Sequence, residues 1–81
     1  MKRRKSKNKS SIVLLNDDFN TFEHVIQSLR EICGHNYIQA TQCASIVHSK
    51  GKCEVFRDKK ELTEQIFYEL ELLGLTVELV Q

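Results

Sequence analysis

The sequence predicts an α/β sandwich in which strand, helix, helix, strand, helix and strand follow one another along 81 residues. Three short runs rich in branched or alternating apolar residues, 11–15, 52–57 and 75–80, read as strands. Between them, three segments place apolar residues at helical spacing. Each of those segments stops at a glycine, Gly34, Gly51 or Gly74, and no proline interrupts any element. One small sheet with three helices packed on it buries all of these apolar faces in a single core.

The first strand, 11–15, is the apolar run Ile12 to Leu15, ended abruptly by Asn16, Asp17 and Asp18. Helix one, 21–33, turns Phe22, Val25, Ile26, Leu29, Ile32 and Cys33 to one face. Asn20 is its expected cap, with Glu23 reaching back to the cap's own N–H in a capping box. Helix two, 38–49, has Ala40, Cys43, Ala44 and Val47 on its apolar side. The second strand, 52–57, alternates, with Cys53 and Val55 inward and Glu54 and Phe56 outward. Helix three, 59–73, faces the core with Leu62, Ile66, Leu70 and Leu73. In the last strand, Leu75, Val77 and Leu79 point inward and Thr76 and Glu78 outward.

Composition sets limits on function. A chain this short builds one small core and offers at most a shallow surface pocket. The formal net charge of +1 conceals an asymmetry, because Lys2, Arg3, Arg4, Lys5, Lys7 and Lys9 all fall within residues 1–10. That segment is expected to be a disordered basic arm, and 11–81 one domain. Its six basic residues have no aromatic to stack on, so any attraction to nucleic acid is weak and salt-sensitive. No apolar run approaches the roughly eighteen residues that a membrane span needs. Cys33, Cys43 and Cys53 form no Cys-x-x-Cys pair and sit at apolar positions, which suits small core thiols in a reducing compartment. His24 and His35 read as surface histidines without a role.

The turn Asn16-Asp17-Asp18, pinned between a strand and a helix, concentrates acceptor oxygens where their positions are fixed. Leu15-Asn16-Asp17-Asp18-Phe19 with Phe22-Glu23, and later Val47-His48-Ser49-Lys50-Gly51-Lys52, resembles the ClpS adaptor family. The resemblance spans about residues 11–80. It implies a three-stranded antiparallel sheet and a cytoplasmic adaptor without catalytic residues or cofactor. Such adaptors recognise destabilising N-terminal residues of proteins. They hand them to the N-terminal domain of a ClpA- or ClpC-like AAA+ unfoldase, for degradation by ClpP.

The resemblance also places the Ala44 and His48 face of helix two against the start of helix one. Asn16, a carboxylate from Asp17 or Asp18, and an unprotonated His48 nitrogen would then offer acceptors to the three N–H donors of an α-ammonium group. Charge-assisted bonds favour that cation over an internal peptide N–H, so such a site reads a chain's start and ignores its middle. Asn20, Phe22, Val25, Ala44, Val47 and Leu75 match the family's hydrophobic pocket for the first side chain. Two departures stand out. The usual motif continues Thr-Pro-Met after the acidic turn where this chain has Asn20-Thr21-Phe22, and Ala44 stands where many members have Met. A rigid ring on one wall and a small residue on the other should accept Leu, Phe, Tyr and Trp and reject β-branched Ile and Val. Lys50 and Lys52 are the expected docking residues for the unfoldase.

Read without the resemblance, the same residues leave other classes open. Asp17, Asp18 and His48 are also a conceivable metal-binding or acid–base set, although adjacent carboxylates on a turn usually diverge. Metal-dependent binding lost with chelator would mark that class. The basic arm admits an RNA- or ribosome-associated domain, whose binding would depend steeply on salt.

Overall fold

Along the first strand, side chains alternate strictly between buried and partly exposed, and that alternation decides which face of the sheet the helices cover. The computed structural model describes residues 8–81. Its elements are β1 (Lys9–Leu15), α1 (Phe22–Ile32), α2 (Tyr37–Lys50), β2 (Lys52–Lys59), α3 (Lys60–Leu72) and β3 (Val77–Val80). The sheet order is β2-β1-β3, with both pairings antiparallel. Order, sheet and helix number agree with expectation. β1 begins at Lys9, so Lys9 and Ser10 belong to the sheet rather than to the arm, and residues 1–7 lie outside the described range.

Ser10, Ile12 and Leu14 on the covered face are buried, and Ser11, Val13 and Leu15 are partly exposed. Ile12, Leu14, Leu29, Ala40, Val47, Val55, Leu70 and Leu75 form the buried core. Cys33, Cys43 and Cys53 pack against it as free thiols. Burial pushes the Cys33 thiol up to about 12; burial, with the Cys53 thiol beside it, does the same to Cys43.

Four local expectations are corrected. The α1 cap is Thr21, whose hydroxyl accepts from the His24 N–H at 3.0 Å, not Asn20 with Glu23. Asn20 is drawn into the preceding turn, and the capping box occurs instead on α2, between Asn36 and Gln39. In β2, Phe56 pairs with Ile12 and Glu54 with Val13, leaving Val55 as an extra, bulged residue. The bulge resets the alternation, so Phe56 packs against the core along with Val55 instead of facing water. In α3 the inward positions are Thr63, Ile66, Phe67 and Leu70, while Leu62 and Leu73 are exposed. Thr63 takes the inward position next to Leu62, fully buried, with its hydroxyl donating to the Asp58 carbonyl at 3.0 Å and facing the Ser10 carbonyl at 3.4 Å. Finally, His24 and His35 are not idle. Nε2 of His24 donates to the Leu73 carbonyl and Nε2 of His35 to that of Val55, each at 2.7 Å.

Candidate functional site

Three chain reversals meet at one end of the sheet, and backbone hydrogen bonds hold them together. At the end of β1, the Leu15 N–H donates to the Thr76 carbonyl at 2.8 Å. The Asn16 N–H donates to the Gly51 carbonyl at 3.0 Å. Gly51 adopts φ +96°, the left-handed conformation that lets α2 end abruptly and brings its last turn beside Asn16. Gly74, at φ +87°, ends α3 in the same way, and its carbonyl accepts from the Asn20 side-chain amide at 3.0 Å.

Asp17 organises the turn. Its Oδ1 accepts from the N–H groups of Phe19 and Asn20, both at 2.9 Å. Its Oδ2 accepts from Asn20 Nδ2 at 2.8 Å and from the Thr76 hydroxyl at 2.6 Å. Partial burial raises the carboxyl's pKa. The hydrogen bonds, Thr76 foremost, outweigh that and bring it down to about 2. A carboxylate offers about four lone-pair sites, so Asp17 is fully committed within the protein.

Asn16, Asp18 and His48 make no side-chain hydrogen bond among the described residues, and all three are exposed. They line a concavity of about 280 Å³ together with Asp17, Asn20, Phe22, Val25, Ala44, Val47 and Leu75. These are the residues expected there from the sequence, now in one place. Leu14 and Leu15 also line it and were missed, as was the reach of Thr76 back to Asp17: β3 begins at Val77 rather than 75, and Thr76 belongs to the connection before it. Ala44, Val47 and Leu75 form a buried floor, whereas Phe22 is 42% exposed at the rim. The Phe22 ring meets the His48 imidazole edge-on, with centroids 6.0 Å apart. A cavity below the roughly 300 Å³ at which drug-sized pockets begin has room for one side chain. A more open groove of about 590 Å³ runs beside α1, between Glu23 and Tyr37, and contains none of the expected site residues.

Chemically, this is a set of unengaged acceptors, one of them an anion, at the edge of an apolar recess. It suits a cation with several N–H donors attached to one bulky apolar group. Lys50 and Lys52 flank Gly51 and are exposed. Among the described residues, no group of three or more His, Cys, Asp or Glu side chains is arranged to hold a metal ion. None of the described helices is long and apolar enough to cross a membrane.

Comparison with known proteins gives this arrangement a family. Residues 5–73 match the family model of the ATP-dependent Clp protease adaptor protein ClpS. Over 67 residues the chain is 36% identical to the ATP-dependent Clp protease adapter protein ClpS of Nostoc sp., covering 82% of this chain and 69% of that protein. Its fold is similar to that of Agrobacterium tumefaciens ClpS2 bound to L-phenylalaninamide, with a TM-score of 0.83 at 20% identity, over 89% of this chain and 94% of that one. These adaptors serve the Clp protease and are not themselves the protease. The chain belongs to the ClpS adaptor family.

Proposed function

We propose that this protein binds the free α-amino group and the first side chain of proteins with destabilising N-terminal residues, and delivers them to a ClpA- or ClpC-like unfoldase in the cytoplasm. The observation that carries this reading is the single concavity in which Asn16, Asp18 and His48 stand unengaged beside the recess of Val25, Ala44, Val47 and Leu75. The ammonium donates to Asn16 Oδ1, the Asp18 carboxylate and a neutral His48 nitrogen. Asp17, the other acid of the motif, holds the turn that presents them. L-phenylalaninamide, the ligand of the ClpS2 structure, carries a free amine and an aromatic side chain on one carbon, which is the pairing this site suits.

Magnitudes are consistent with a releasable complex. Burying one Leu or aromatic side chain contributes about 1.5–3 kcal/mol. Two or three hydrogen bonds to charged groups add about 1.5–3 kcal/mol each. Association costs several kcal/mol, which leaves a complex near micromolar, about −8 kcal/mol. Delivery requires a docking surface for the unfoldase N-terminal domain, and exposed Lys50 and Lys52 beside the site are the residues assigned to it.

The test is a titration of a Leu- or Phe-initiated peptide against its N-acetylated copy. The free amine binds and the blocked one does not; equal affinities would overturn the proposal.

A further inference from the structure

We propose that Thr76 is a positioning residue for the binding site, its hydroxyl holding the Asp17 turn in register with the wall of the pocket. This deepens the reading above and rests on it. Thr76 does not line the pocket, so whatever it contributes to binding must pass through a neighbour.

That neighbour is Asp17. Three of the four donors to its carboxylate, the N–H groups of Phe19 and Asn20 and the Asn20 amide, come from the turn itself and shape it locally. The fourth, the Thr76 hydroxyl, comes from the other end of the chain. Its 2.6 Å separation lies within the short range of hydroxyl-to-carboxylate hydrogen bonds.

Thr76 grips β1 a second time, because its carbonyl accepts from the Leu15 N–H at 2.8 Å. Its preceding residue, Leu75, is 5% exposed and forms part of the pocket floor. One short segment thus presents the apolar wall and ties down the polar rim. Without the hydroxyl, the turn keeps its internal bonds. It loses one of the side-chain ties that hold it to the 74–76 segment, leaving the Asn20 amide on the Gly74 carbonyl, and with it the fixed distance from Asn16 and Asp18 to Leu75. An ammonium bonded to two rim acceptors with its side chain in the recess requires that distance to hold.

The experiment compares Thr76→Val, which keeps the branched shape without the hydroxyl, with Thr76→Ser, which keeps the hydroxyl. Both are made in the full chain and titrated with a Phe-initiated peptide, with thermal melts run alongside. Thr76→Val weakens binding by about tenfold, while Thr76→Ser binds as the parent does. In an Asp17→Ala background, which offers the hydroxyl no side-chain partner, Thr76→Val adds no further loss, because the two groups act as one unit. The role is refuted if Thr76→Val binds normally, if Thr76→Ser loses as much, or if the two losses multiply. Parent protein that fails to bind any free-amine peptide would instead overturn the proposed function itself.

Discussion

The Phe22 ring stands edge-on to the His48 imidazole, with the two planes at 81° and the centroids 6.0 Å apart. A residue at the start of α1 and one near the end of α2 thereby share the mouth of the pocket. Edge-to-face contact between aromatic rings is favourable by about 0.5–1.5 kcal/mol, enough to bias the orientation of the His48 imidazole at the pocket. A rigid ring at this position also makes the rim stiff.

Selectivity follows from that stiffness. Peptides identical except for a first residue of Leu, Phe, Tyr or Trp bind, and those beginning with Ile or Val bind at least tenfold more weakly, about 1.4 kcal/mol. Phe22→Ala narrows the gap by admitting the β-branched residues and lowering affinity for the others. Calorimetric titration of the peptide set reads both effects; Ile binding the parent as well as Leu does would refute the claim.

Loss of the His48 imidazole removes one of the three acceptors proposed for the ligand's ammonium. His48→Ala should weaken binding of a Phe-initiated peptide by about tenfold, about 1.4 kcal/mol, read by fluorescence anisotropy. Unchanged affinity removes His48 from the acceptor role.

Asp17 governs acid stability. Its folded-state pKa of about 2 lies below the ordinary 3.8, so the native state favours the ionised form. The stabilisation is fully present above the ordinary value and is lost as pH falls through 3.8 towards about 2. Asp17→Asn should lower stability at neutral pH by about 1–3 kcal/mol and flatten the dependence of Tm on pH between 4 and 2. Urea denaturation at neutral pH measures the first effect, and thermal melts between pH 4 and 2 the second.

Gly51 is a backbone requirement rather than a space requirement. A Cβ added there meets nothing within 4 Å, but φ is +96°. Gly51→Ala should therefore cost about 1–2 kcal/mol, seen as a lower urea midpoint with an unchanged m-value. Because the Gly51 carbonyl accepts from Asn16 N–H, the same change should also weaken peptide binding.

The cysteines offer a check on the packing. With the Cys33 and Cys43 thiols pushed up to about 12, almost no thiolate is present at neutral pH. Alkylation by iodoacetamide, followed by mass spectrometry, should be much slower at these two positions in native protein than in urea.

Helix and strand order was legible because it depends on local properties. Apolar period, the abrupt polar turn at Asn16 and a glycine after each helix act over a few residues, and these local signals are strong here. Details that depend on distant partners were not legible. Asn20 reads as a cap until its amide is found on Asp17 and on Gly74, 54 residues away. Leu62 reads as core until the Thr63 hydroxyl is found on the Ser10 carbonyl, 53 residues away, and Phe56 reads as exposed until its pairing with β1 shows the bulge at Val55.

By itself, then, the sequence determined the order of elements and, through its motifs, the family, and it named the residues that line one concavity. Only the tertiary structure decided how the two acids of the turn divide their work. Asp17 and Asp18 are neighbours of the same chemistry, and the sequence does not say on which of them the turn closes, although three of the four donors to Asp17 come from that turn. Asp17 is engaged by its own turn and by Thr76, 59 residues away, and Asp18 stays open to solvent at the pocket. Such a division needs the ends of three elements to meet, and that meeting comes from packing around a shared core rather than from any single stretch of chain.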